Sequence, residues 1–171
     1  MTQLPLPTFP ALSDAQRDFL EARVARVLTL SEPHARLRAA LLAIGGLQVV
    51  PPRYEAFEEW QRARDDWYTE AVLARGRTWD GATAVREPGT GGACHANVAR
   101  LFVAGRGAVA TGYALAGDGL WREHSWIVDG GGRVIETTAG WLVYHGCILD
   151  RDVARQFARD ELGAPAVDGV S

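Results

Sequence analysis

The chain has 171 residues, of which 47% are apolar and 23% charged, with a formal net charge of −3 at pH 7. That length can bury a core without disulfide or metal staples, and the near-neutral balance gives no electrostatic pull toward nucleic acid or an anionic membrane. All 18 basic residues are arginine, as a GC-rich bacterial genome would encode, and a chain without lysine cannot do Schiff-base chemistry of the pyridoxal phosphate type.

The N-terminal stretch MTQLPLPTFPALSD lacks the basic and apolar regions of a signal peptide. The longest apolar run, LRAALLAIGGLQVV, falls short of the roughly 18 residues of a membrane span. Two cysteines, Cys94 and Cys147, make no disulfide framework, and the expected setting is a reducing cytoplasm. A single domain over 1–171 is expected, with a mainly helical region over 1–80, a core motif over 89–140 and a C-terminal helix over 150–163.

Residues 1–12 are proline-rich and read as an extended arm. Ser13 and Asp14 have N-cap chemistry, and Phe19, Leu20, Val24, Val27 and Leu28 follow at helical spacing. A second helix is expected from Pro33, a favoured first position, to Ile44, where Gly45 and Gly46 stop it. After Pro51-Pro52, the run YEAFEEWQRARDDWYTEAVLARG reads as a long helix ending at Gly76. Tyr54, Phe57, Trp60, Arg64, Trp67 and Ala71 form its expected core stripe. Residues 77–92 have the texture of turns. A helix follows from Cys94 to Val103, with Val98, Leu101 and Phe102 on one face and Gly105 closing it. The runs AVATGYAL, LWREHSWIVD and RVIETT read as strands joined by Gly-rich hairpin turns. RDVARQFARDELG closes the chain as an amphipathic helix. A helix followed by antiparallel strands is an α+β order.

Strand periodicity places His124 on one face with Arg122, Trp126 and Val128, and Glu136 on one face with Val134 and Thr138. A turn centred near Gly130-Gly131 sets His124 opposite position 137, and a small bulge would bring Glu136 the remaining place. A carboxylate beside a strand imidazole fixes its tautomer and stabilises its charged form. Cys94 stands where a helix begins, and the unpaired N–H groups and positive dipole end there favour thiolate over thiol. Gly91 and Gly92 let a substrate approach the sulfur, and the N–H of Cys94 can donate to an oxyanion. Cys94, His124 and Glu136 therefore read as nucleophile, base and orienter of a triad. Asp129 is an alternative orienter, less rigid because it lies in the turn.

GGxC at a helix start, H-S-W-x-V on a strand and a strand ending E-T-T resemble the core of transglutaminase-like cysteine enzymes. These belong to the wider papain-like group, with arylamine N-acetyltransferases and the leader peptidases of lasso-peptide pathways. The resemblance covers residues 89–140. It implies a nucleophile helix packed on an antiparallel sheet of three or more strands. It also implies Cys94 as nucleophile, His124 as base and Glu136, in place of the commoner aspartate, as orienter. The implied chemistry is acyl transfer, or amide or peptide-bond hydrolysis, through a thioester on Cys94. The substrate would be a peptide, a protein or a small amide or acyl compound, and no cofactor is called for. No glutamine stands at a papain-like distance before the cysteine. Gly92, Thr90, Asn97 and Tyr113 are thus the candidates for substrate and oxyanion contacts, with His95 and Trp126 as cleft-lining residues. His95 is expected to point away from the sulfur.

Two other readings stay open. Cys94, His95, His124, His145 and Cys147 offer zinc-type ligands, above all Cys94, His145 and Cys147, though without CxxC or HExxH spacing. A non-catalytic ligand- or protein-binding module would instead present Trp121, Arg122, Trp126 and Trp141 to its partner.

Overall fold

The computed structural model describes residues 5–51 and 59–163. In chain order its elements are α1 (Asp14–Leu30), α2 (Glu32–Ile44), β1 (Gln48–Val49), α3 (Glu59–Arg75), β2 (Arg77–Asp80), β3 (Val85–Arg86), α4 (Cys94–Val103), β4 (Ala108–Leu115), β5 (Leu120–Val128), β6 (Val134–Glu136), β7 (Val143–Ile148) and α5 (Arg151–Leu162). The fold class is α+β, with parallel and antiparallel strand pairs. No helix among the described residues is long and apolar enough to cross a membrane. The described chain falls into two compact units, and β4 and β5 each contribute one end to either unit.

The first unit comprises residues up to Ala82 together with Gly112–Glu123 and Trp141–Cys147. Ser13 opens α1 with a capping box: its Oγ accepts from the Gln16 N–H at 3.3 Å and its own N–H donates to Gln16 Oε1 at 3.1 Å. Leu20 and Val24 are buried on the expected face, whereas Phe19 is 60% exposed, one helical step off that face. Ser31 caps α2 by accepting from the His34 N–H, Pro33 sits in the first turn, and Gly45 ends the helix with φ +147°. Leu37 and Leu41, four apart, form its buried ridge.

The expected core stripe of α3 needs correction. Tyr54, Phe57 and Pro52 lie outside the described residues, as do the side chains of Val27, Leu28, Trp60 and Arg64. Of the remainder, Ala71 is buried as expected, whereas Trp67 is 45% exposed and meets Tyr68 edge-on. Thr69 and Val72, on the opposite side of the helix, are buried. Asp66 of α3 meets Ser31 at the start of α2. Packing against a neighbour, not aromatic content, chose the face.

Strands of this unit run in the order β2-β7-β4-β5, with β1 added in parallel to β5. The expected turn region 77–92 thus holds β2, paired antiparallel with β7 from Arg77↔Gly146 to Asp80↔Val143.

The second unit comprises Thr83–Thr111, His124–Gly140 and the chain from Ile148 onward. Its strand order is β4-β5-β6-β3, with β3 parallel to β6. The helices α4 and α5 pack together, burying Val98 and Ala99 from one and Ala154, Phe157 and Ala158 from the other. Asp150 N-caps α5 and Gly163 closes it in the left-handed conformation.

The register of β5 on β6 lies one place from the expected one, with Ile127 opposite Ile135 and Val128 opposite Val134. This shift makes the bulge unnecessary. Continuing the ladder sets Trp126 opposite Glu136, so His124, Trp126 and Glu136 share one face and His124 is the diagonal neighbour of Glu136.

Candidate active site

The loop before Cys94 is held at several points. Along β6, the Glu87 N–H donates to the Glu136 carbonyl at 2.9 Å and the Gly89 N–H to the Thr137 carbonyl at 2.8 Å. From α4, the amide of Asn97 grips both polar groups of the Thr90 backbone, accepting from its N–H at 3.1 Å and donating to its carbonyl at 2.8 Å. A side chain at Gly89 would collide with that amide, because its Cβ would lie 2.5 Å from Asn97 Cγ. Beyond these ties, Gly91 and Gly92 have open space around them, and Gly92 adopts φ +72°. Cys94 is then the first residue of α4, whose N-terminus no side chain caps. The fixed loop and the open glycines leave the half-buried thiol approachable from one side.

Glu136 reaches His124 from the adjacent strand: its Oε2 lies 2.8 Å from His124 Nε2. The other carboxylate oxygen accepts from the Thr138 N–H at 2.6 Å and from the Thr138 hydroxyl at 2.9 Å. Both members of the pair are buried, at 2% exposure for His124 and 0% for Glu136. Trp126 lies nearly parallel to the His124 ring at 6.2 Å and supports it from within the core. With Nε2 donating to Glu136, Nδ1 remains for the Cys94 thiol, to which His124 is also hydrogen-bonded.

The electrostatics follow from this chain of contacts. Burial raises the thiol pKa of Cys94, but hydrogen bonds with His124 and His95 and their charges outweigh it and bring it down to about 6. Burial likewise opposes charge on His124, yet hydrogen bonds with Cys94 and Glu136 raise its pKa to about 9. Burial also acts against the Glu136 carboxylate. The His124 hydrogen bond and charge, with the Thr138 donors, nevertheless lower its pKa to about 2. Around neutral pH the three groups therefore stand as thiolate, imidazolium and carboxylate.

His95 does not point away from the sulfur. Its ring hydrogen-bonds the Cys94 thiol, its Nδ1 is 2.8 Å from Ser125 Oγ, and it meets the Phe157 ring edge-on at 5.8 Å. The apolar contact with α5 and the hydroxyl on β5 turn the ring back toward its own helix start.

Several other expectations are redirected. The Asn97 side chain and the Thr90 backbone are bonded to each other, so Asn97 holds the loop before Cys94. Trp126 is fully buried beneath His124 and lines no cleft. Tyr113 is 6% exposed and belongs to the first unit. Asp129 is spent on its own turn, accepting from the Gly131 and Arg133 N–H groups and pairing with the Arg133 guanidinium. Trp121 is fully buried, with its indole N–H donated to the Gly45 carbonyl, and Arg122 is clasped by Asp118. These side chains are built into the fold instead of being presented to a partner, and Trp141 is half-buried. No group of three or more His, Cys, Asp or Glu among the described residues is gathered to hold a metal ion, which removes Cys94, His145 and Cys147 as a zinc set. Ser125 and Thr138 were missed as contributors, although each stands within a quoted motif, H-S-W and E-T-T.

No family model matches the chain, and no curated protein or solved structure matches it.

Proposed function

We propose that the protein is a cysteine enzyme that transfers an acyl group or hydrolyses an amide through a thioester on Cys94, on a core of papain-like or transglutaminase-like type. One observation carries this reading: a buried imidazole, His124, is bonded on one side to a carboxylate and on the other to a thiol at the start of a helix. A merely structural cysteine would be expected in apolar surroundings with its pKa raised, as a packing thiol and not as one end of an ionised chain.

In this mechanism the Cys94 thiolate attacks a substrate carbonyl carbon, forming the C–S bond and an oxyanion. The Cys94 N–H, at the uncapped positive end of α4, is the donor nearest in sequence to that oxygen. Collapse of the tetrahedral intermediate breaks the bond to the leaving amine, which takes the Nδ1 proton of His124. Water or an amine then attacks the thioester and gives its proton to His124, and the C–S bond breaks to restore the thiolate. Glu136 keeps the ring oriented and its charged form stable throughout, and Thr138 holds Glu136. The substrate class is a peptide, a protein or a small amide or acyl compound. A reducing cytoplasm suits a site that needs its thiol free, and both cysteines are free thiols.

The test is competitive alkylation with iodoacetamide at pH 6, read by peptide mass spectrometry on the folded protein. Cys94 should react and Cys147, which is 1% exposed, should not. Equal labelling of both thiols, or none of either, would overturn the reading.

A further inference from the structure

The turn that follows Glu136 carries a cation on its outer side. Arg86 is exposed on β3, and its Nη2 donates to the Thr138 carbonyl at 3.2 Å. Thr138 in turn holds Glu136, and Glu136 holds His124. In the parallel ladder Arg86 stands opposite Glu136. Paired residues project to the same side of a sheet, so Arg86 leaves β3 on the face that bears the Glu136 side chain. No carboxylate among the described residues pairs with it. Glu87, its neighbour, projects to the other face and is bonded to Arg106 at 2.7 Å. With one donor given to Thr138, a side-by-side pair of the guanidinium fork remains to take a carboxylate. The backbone of the same residue also faces outward. β3 ends the strand order, and Val85 on it is 42% exposed. The Glu87 N–H donates to the Glu136 carbonyl, so Val85 and Glu87 turn their backbone groups to β6, and Arg86 turns its N–H and C=O away from it. Beyond Glu87 the chain enters the tied loop that ends at Cys94.

We propose that the outer edge of β3 docks the substrate as an extended peptide segment bearing an acidic residue, and that Arg86 is the residue that determines this specificity. The proposal rests on Cys94 being the nucleophile, and it narrows the substrate class given above to acidic peptides. A strand laid along the edge takes the Arg86 N–H and C=O as its ladder partners. Side chains of adjacent strands on one face lie about 5 Å apart, so an Asp or Glu of the peptide beside Arg86 meets the remaining pair of donors. Since β3 feeds directly into the nucleophile loop, a chain that follows this edge is led toward the Cys94 end of α4. An Arg86 that only anchored Thr138 would use one donor and be indifferent to charge in the substrate.

The probes are chloromethyl ketones of acetylated alanine hexapeptides, with Glu or Gln placed in turn at each position. The Cys94 thiolate displaces chloride from them and forms a thioether. The readout is the ratio of the Glu to the Gln alkylation rate at Cys94 on the full chain, followed by peptide mass spectrometry, because damage to the thiol itself slows both peptides alike. At one position the ratio should reach about tenfold, the size of a charge-assisted hydrogen-bonded pair, and it should shrink in high salt. Arg86→Met should bring the ratio to about one, and Arg86→Lys, which keeps the charge but loses the fork, should leave about threefold. Methylating the peptide nitrogen that meets the Arg86 carbonyl should slow the Glu peptide about fivefold. A wild-type ratio of one at every position, or a preference that survives Arg86→Met, would overturn the proposal. Indifference to N-methylation at every position would remove the strand pairing. The salt series and the N-methyl scan use wild-type protein and so cover variants that do not fold. Failure of the nucleophile reading has a different signature, a Cys94 inert to iodoacetamide at pH 6. Selective iodoacetamide labelling of Cys94 together with equal Glu and Gln rates removes the docking edge alone.

Discussion

His34 in the first unit and His124 in the second are both buried, and each has a carboxylate and a smaller polar side chain for neighbours. Around His34 these are Ser31 and Asp66, the residue types of a serine triad. Their wiring is different. Ser31 Oγ lies 2.9 Å from His34 Nδ1, and Asp66 Oδ1 lies 3.6 Å from the same nitrogen. The Ser31 hydroxyl donates to Asp66 at 2.5 Å, while its oxygen caps α2. Serine and acid are thus bonded directly, and the imidazole does not stand between them. Burial then prevails and lowers the pKa of His34, in spite of the charges of Asp66 and Glu123. At His124 the acid is bonded to Nε2 at 2.8 Å, and hydrogen bonds with Cys94 and Glu136 raise the pKa against burial. Both places hold an imidazole, a carboxylate and a hydroxyl or thiol, and a relay exists only where the imidazole joins the other two.

The largest effect that would break this contrast is the loss of His124. His124→Gln should slow Cys94 alkylation at pH 7 by about a hundredfold or more, the usual scale of a lost acid–base partner. His34→Gln should leave that rate within about twofold and lower only the melting temperature. Equal effects of the two substitutions on the rate would erase the distinction. Next comes the pH profile. The alkylation rate at Cys94 should rise through about pH 6 as the thiolate forms. Turnover on a substrate, once one is found, should fall through about pH 9 as His124 loses its proton. An alkylation rate that rises only near pH 8.5 would remove the ion pair.

A smaller effect is expected at Glu136, where about a tenfold loss of rate should follow Glu136→Gln. Its signature is in stability against pH. The carboxylate pKa is lowered on folding to about 2, so its contribution is present above the ordinary value of 4.5 and is lost as pH falls from there through 2. Urea unfolding between pH 5 and 2.5 should therefore show a steeper decline for wild type than for Glu136→Gln. His34 provides the opposite sign in another window. Held neutral by burial, it costs stability as pH falls below its ordinary 6.5, and His34→Gln should flatten the curve there. His124, charged in the folded state, contributes no loss on acidification in that range. The smallest effect belongs to Ser31→Ala, which should cost about 1 kcal/mol as a lost helix cap and leave Cys94 reactivity unchanged.

Much of the second unit was legible from residue order. The turn glycines and alternating strands marked out β4, β5 and β6, and the cysteine at a helix mouth started α4 at the observed residue. The Cys94, His124 and Glu136 set came from the same patterns. The first unit was less legible in the same terms. In α3 the stripe residue Ala71 is buried but Trp67 is exposed, and Thr69 and Val72, which no aromatic pattern marked, are buried instead.

What the order of residues determined by itself was local: the capped starts of α1 and α2, the alternation of the longer strands, and the three residue types able to form a nucleophilic relay. Each is settled within a few positions along the chain, by side chain–backbone hydrogen bonds or by a period of two or 3.6. The tertiary structure decided the rest. The two-residue strands β1 and β3 are too short to show any period and exist through partners far along the chain. The register of β5 on β6 chose which side chains share a face, since one step of slip turns every one of them over. The place of His95 beside the sulfur came from Ser125 and Phe157, 30 and more residues away, bonded to it in space and invisible to any local pattern.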